Sequence, residues 1–167
     1  MNNSEAPDTL LQKWLAETPE NIEEWLLQGL SIGLELLQLE TGIVSQINNQ
    51  QYTILQVSSK LGDIFNIGDQ FELCDTYCSA VASEDKTITY IQVGTIPEML
   101  LHPVYKAVQL ESYIGAPIHN TADEVIGTLN FSSHLVRDDE FNKEEIKAIE
   151  TMANKIATVL MTTEKDA

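Results

Sequence analysis

Leu110-Glu111-Ser112-Tyr113-Ile114-Gly115-Ala116-Pro117-Ile118 is followed, after a polar segment and Val125, by Ile126-Gly127-Thr128-Leu129-Asn130-Phe131-Ser132-Ser133. Both stretches have strand length and are rich in aliphatic and aromatic residues, and the segment between them is polar enough to turn. They predict strands over Ser112–Ile118 and Val125–Ser132, with His119–Glu124 as the turn.

Upstream, Gly42–Ile47 and Tyr52–Val57 make a second such pair. Asn48-Asn49-Gln50 joins them, and Asn tolerates the left-handed backbone of a tight turn, so this pair predicts a hairpin. Residues 58–73 read as loop, punctuated by Gly62 and Gly68. Asp75 through Ser83 predicts a short helix capped by Asp75, and Thr87–Ile91 a short strand. Thr95-Ile96-Pro97-Glu98 has the form of a capping box, but Pro103 interrupts that helix, leaving a second short one that runs to Gln109.

Helices are expected at both ends. Thr18-Pro19-Glu20 predicts a helix start with Thr18 as cap, Pro19 in the first turn and acids at the positive end of the dipole. Ile22, Trp25, Leu26, Gly29, Leu30, Gly33, Leu34 and Leu37 then form a stripe, widened by Ile32, Leu36 and Leu39 beyond one core-facing face. Asn142 and Glu145 predict the start of the last helix as a capping box, with Phe141 and Ile146 placed as a hydrophobic staple. Ile146, Ile149, Ala153, Ile156 and Leu160 follow at coiled-coil seam spacing. The order of elements predicts one α+β domain with an antiparallel sheet over residues 18–163. Residues 1–17 are expected as a partly flexible extension or short helix, and 164–167 as a tail.

The chain has 167 residues with 26 acidic and 9 basic side chains, a net charge of −17. At 43% hydrophobic it carries the apolar content that a disordered acidic chain lacks. The deficit of Lys and Arg disfavours nucleic acid and anionic membranes as partners. No apolar run approaches the ~18 residues that span a bilayer. Met1–Glu5 has no basic residue and no apolar segment follows directly, so no secretory leader is expected and a cytoplasmic location is. Cys74 and Cys78 alone cannot build a disulfide framework.

The two opening stretches resemble the paired closing strands of a GAF domain. The resemblance extends through Asp75-Thr76-Tyr77-Cys78, His102-Pro103-Val104-Tyr105 and Leu39-Glu40-Thr41-Gly42-Ile43-Val44-Ser45, covering roughly residues 18–163 in one collinear order. It implies a PAS-like central antiparallel sheet of six strands or fewer, with terminal helices on one face and short helices and loops enclosing a small-molecule pocket on the other. The Asp-Thr-Tyr-Cys form looks most like the sensory GAF domains of bacterial signalling proteins. Such domains usually regulate an attached output domain. None follows here, so a stand-alone module signalling to a kinase or transcription regulator in trans is implied. Relatives often carry Cys where this chain has Val104, and the Cys-His pair that tethers bilin is replaced by Cys78-Ser79. No covalent bilin is therefore expected, and the cofactor is unknown.

Carried onto this sequence, the pocket would draw on Phe71, Asp75, Thr76, Tyr77, Cys78, Tyr90, His102, Tyr105 and Tyr113. His102 has a plainer role open to it, bonding backbone freed by the break at Pro103. Cys74 and Cys78, four apart, suit either a redox switch or a loop residue beside a buried hydrophobe. The three histidines have no metal-ligand spacing, so no metal site is expected. Neither a Gly-x-Ser-x-Gly elbow nor a phosphate-binding loop is present, and no catalytic residue is assigned. A homodimer is expected through Ile22, Trp25, Gly29, Gly33, Ile149 and Ile156, because both terminal helices carry more apolar surface than one face needs. The expectation is a non-enzymatic sensor. The alternatives are a ligand-free interaction module, a cysteine redox sensor, or an enzyme like the free methionine sulfoxide reductases of this fold.

Overall fold

The computed structural model describes residues 5–165. Its strands are β1 (Thr41–Asn48), β2 (Gln51–Ser59), β3 (Gln70–Glu72), β4 (Ile88–Tyr90), β5 (Ser112–His119) and β6 (Val125–Ser133). Its helices are α1 (Pro7–Ala16), α2 (Ile22–Leu37), α3 (Cys78–Glu84), α4 (Pro103–Val108) and α5 (Lys143–Lys165). Residues 1–4 of the expected extension and 166–167 of the expected tail lie outside the described residues.

The strands form one antiparallel sheet in the order β3-β2-β1-β6-β5-β4. Asn49 and Gln50 both have positive φ (51° and 67°), the backbone that a two-residue hairpin turn demands between Asn48 and Gln51. Strand alternation then sorts the side chains onto two faces. Val44, Ile114, Ala116, Ile118, Leu129 and Phe131 join α1, α2 and α5 in one core. Ile43, Tyr52, Ile54 and Tyr113 join Tyr77, Cys78 and Val81 in a second core on the opposite face. This is the expected α+β, GAF-like arrangement.

The last helix starts as its sequence dictates. Glu145 N–H donates to Asn142 Oδ1 at 2.8 Å, and Asn142 N–H donates back to Glu145 Oε1 at 3.0 Å. The start of α2 differs from expectation: the cap is Asn21, whose Oδ1 accepts from Glu24 N–H at 3.1 Å, not Thr18. Residues 17–21 instead carry the chain from α1 back onto α2, so that Trp14 stacks on Trp25. The region read as loop contains β3, which is three residues long with Phe71 as its one apolar residue, so it has no apolar alternation to reveal it. Asp75 does not cap α3. It ends a 3₁₀ turn over Leu73–Asp75, and Tyr77 occupies the cap position without a side-chain bond to the helix.

The expected dimer seam is also corrected. Trp25, Ile149 and Ile156 are 2%, 0% and 1% exposed, and Gly29 and Gly33 are buried. A Cβ at Gly29 would lie 2.5 Å from the Trp14 ring, and one at Gly33 would strike the Phe131 ring. The second apolar side of α2 is thus covered by the chain's own α1, sheet and α5. Of the six residues only Ile22 keeps part of its surface.

Candidate ligand-binding cavity

On the sheet face opposite α2 and α5, a cavity of about 270 Å³ lies between the sheet, the 3₁₀ turn at residues 73–75, α3 and α4. Ligand pockets for drug-sized molecules begin near ~300 Å³, so this one suits a small molecule. Its walls are predominantly apolar: Ile43, Ile54, Phe65, Val104, Val108 and Leu110 are among them. Polar groups enter from β6, a central strand. Asn130 and Ser132 line the cavity, and Thr128 sits beside them on the same face.

Thr128 and Asn130 belong to a bonded network under the cavity. Asn130 Nδ2 donates to Tyr52 Oη and to Thr128 Oγ1, each at 3.1 Å. Thr128 Oγ1 lies 2.6 Å from Ser45 Oγ and 3.2 Å from Cys78 Sγ. Cys78 Sγ lies 3.0 Å from Tyr113 Oη. Tyr113 can lie along the sheet because Gly115 has no Cβ where its hydroxyl rests. Burying polar groups without partners costs about 1–3 kcal/mol each, so the network is what allows Thr128, Asn130, Tyr52 and Tyr113 to occupy this face.

Burial sets the protonation of this network. It pushes the Tyr52 and Tyr113 hydroxyls well above the ordinary tyrosine value and raises the Cys78 thiol. All three are neutral near pH 7, and Cys78 lacks the thiolate character that a reactive cysteine needs. Cys74 is exposed and outside the cavity.

Of the nine expected pocket residues, Phe71, Asp75, Thr76, Tyr77, Cys78 and Tyr113 line the cavity. Tyr90, His102 and Tyr105 do not. Tyr77 stands between, its ring 5.6 Å from Tyr90 and 5.0 Å from His102, while its hydroxyl donates to Leu110 O at 2.9 Å. His102 Nδ1 accepts from Val104 N–H at 3.2 Å and so caps α4, the plainer of its two roles. Burial lowers its pKa, against the opposing pull of a Thr76 backbone bond and the Asp75 charge. Tyr105 Oη donates to Glu111 Oε1 at 2.7 Å, away from the cavity.

The wall residues Ile43, Tyr52, Ile54, Asn130 and Ser132 were not expected. A signal for them exists in Thr128-Leu129-Asn130-Phe131-Ser132, which alternates polar and apolar on a strand flanked on both sides. Polar side chains buried at alternate positions of a central strand need something to bond. Among the described residues no group of three His, Cys, Asp or Glu side chains is placed to hold a metal ion. No helix among them is long and apolar enough to cross a membrane.

The sequence pattern of the GAF domain matches residues 19–161. Among curated protein sequences none matches the chain. Solved structures share the fold. The GAF domain of an Acinetobacter phosphoenolpyruvate-protein phosphotransferase superposes with a TM-score of 0.75 at 12% identity, covering 96% of this chain and 93% of that one. The phycocyanobilin-bound GAF domain of a cyanobacterial phytochrome gives 0.75 at 14% identity over 98% of both. The free methionine-R-sulfoxide reductase of Neisseria meningitidis, in complex with its substrate, gives 0.72 at 10% identity over 96% of this chain and 89% of that one. At these identities the likeness is one of fold.

Proposed function

We propose that this chain, which belongs to the GAF domain family, is a sensory module that holds a small, largely apolar molecule beside α4 and reports it to a separate protein. GAF domains are typically sensory or regulatory. The observation that carries the reading is the cavity itself: about 270 Å³ of apolar space above a bonded polar floor. The same strands serve both faces. Tyr113 and Ser132 look into the cavity while their neighbours Ile114 and Phe131 pack under α2 and α5. A ligand that fits one arrangement of the sheet better would favour the matching arrangement of the terminal helices.

We favour binding over catalysis because the cavity's sulfur is a buried, neutral thiol bonded to hydroxyls, and among the described residues no Lys, Arg or His side chain lines the cavity to activate it. The proposed setting is the cytoplasm. The proposed output is a kinase or transcription regulator in trans, and a second copy of the chain is a further proposed partner. With Trp25 and Ile149 enclosed, the apolar side chains of α2 that keep surface for such pairing are Leu27, 42% exposed, and half-buried Ile22, Ile32 and Leu36.

Native mass spectrometry of freshly purified protein, then a thermal-shift screen against a broad metabolite panel, tests the binding role. A retained or stabilising compound is expected, and its effect should vanish in Val104→Trp or Ala107→Phe, which fill the cavity. A stable protein that no compound shifts would overturn the reading and favour a ligand-free interaction module.

A further inference from the structure

The polar atoms of the cavity are unevenly matched. Thr76 Oγ1 donates to Leu73 O at 2.8 Å, and Tyr77 Oη to Leu110 O at 2.9 Å. Both Asn130 amide hydrogens are taken by Tyr52 and Thr128, so the part of Asn130 left for a ligand is its acceptor, Oδ1. Ser132 Oγ is bonded to no other described residue, and Ser132 lines the cavity. Of the backbone donors in the cavity wall, Val104 N–H is held by His102 Nδ1 and Thr76 N–H by Leu73 O.

The charges are just as one-sided. Among the described residues no Lys, Arg or His side chain lines the cavity, and the charged group that does is the exposed carboxylate of Asp75. Its nearest bond is a weak one from Cys74 Sγ at 3.9 Å. The rings of Phe65, Phe71 and Tyr77 line the same space, and aromatic faces attract cations. An anionic ligand would leave water for a site with no counter-charge, in a protein of net charge −17. A cation finds a carboxylate, acceptors and aromatic faces together.

We propose that the cavity selects a small organic cation, an apolar body bearing a protonated primary amine, and that Asp75 receives the ammonium group. Asn130 Oδ1 and Ser132 Oγ are the acceptors for any further donor the body carries. This rests on the ligand-binding role proposed above and adds the charge class of the ligand. Nothing is transformed: the ammonium keeps its protons and the carboxylate remains an acceptor.

Three probes of similar shape separate the two claims. Calorimetric titration of the full chain with 2-phenylethylamine, 2-phenylethanol and phenylacetate should rank them amine, alcohol, carboxylate, with the amine bound about tenfold or more tighter than the alcohol. Asp75→Asn should bring the amine down to the alcohol's affinity while leaving the alcohol unchanged, which also shows that the variant is folded. Glu72→Gln removes one charge from a residue outside the cavity and should leave the ratio intact. Equal binding of amine and alcohol, preferred binding of phenylacetate, or an equal loss in Glu72→Gln overturns the cation preference but leaves a binding cavity. Binding of none of the three overturns it together with the reading on which it rests.

Discussion

Trp14 lies flat on Trp25, with ring centroids 4.1 Å apart and planes within 5°, and each indole bonds the other residue's backbone. Trp14 Nε1–H donates to Trp25 O at 2.8 Å and Trp25 Nε1–H to Trp14 O at 3.3 Å. Two large apolar side chains are thereby buried with no polar atom left unbonded. This reciprocal pair makes α1 a part of the helical layer.

Removing Trp14 should therefore cost as much as a core truncation. Trp14→Ala is expected to destabilise by about 3–5 kcal/mol, read as a lowered urea midpoint. Gly29→Ala should cost about 1–3 kcal/mol despite its better helix propensity, because the new methyl would press on the Trp14 ring. A midpoint unchanged in either variant would contradict the assignment of α1 to the core.

Asn130 offers a test of the polar floor. Asn130→Ala leaves Tyr52 Oη and Thr128 Oγ1 without their shared donor in a buried site. The expected loss is about 2–3 kcal/mol, beyond what the exposed change Asn154→Ala produces. Equal stability of the two variants would mean that water fully replaces the amide and the network is not what holds this face.

Local chemistry was the legible part of this fold. The Asn142/Glu145 box and the Asn49-Gln50 turn were readable because each is settled within four residues of chain. The cap of α2 was not, because Thr18-Pro19 competes with Asn21 and the choice is made by Trp14 reaching Trp25. The width of the α2 stripe was rightly read as two-sided packing. That the second side is α1 and not another copy depends on Gly29 and Trp14 meeting, which no helical periodicity contains. The cavity wall shows the same division. Residues of the Asp75–Cys78 motif and Tyr113 line it, whereas Tyr90 and His102 fall behind the Tyr77 ring, a displacement that only packing decides.

Glu145 holds two structures at once. It closes the cap of α5, and its two oxygens accept from Arg137 Nη2 at 2.7 Å each. Arg137 in turn lies 4.0 Å from the centre of the Phe141 ring, fixing the approach to the helix. Glu145→Gln keeps a capping acceptor but loses the ion pair, so it should cost less than Glu145→Ala. The expected values are about 1 kcal/mol against about 2–3 kcal/mol, since Ala also leaves a half-buried guanidinium unpaired. Equal losses would show that the cap contributes nothing beyond the pair.

His102 should make α4 sensitive to mild acid. Its Nδ1 can cap Val104 N–H only while it carries no proton. Burial lowers its pKa below the ordinary value of 6.5. For a group whose folded pKa is depressed, the stability it contributes is present above the unfolded pKa and is lost as pH falls through the folded one. The window therefore opens below 6.5, and α4 should loosen as His102 gains a proton. Hydrogen exchange over residues 103–108 is the measurement: protection relative to α5 should fall between pH ~7.5 and pH ~5. His102→Asn keeps a capping acceptor that does not titrate there, so its α4 should hold constant protection across the same range. If wild type and variant lose protection in parallel, the acid response belongs to other groups and His102 is a cap alone.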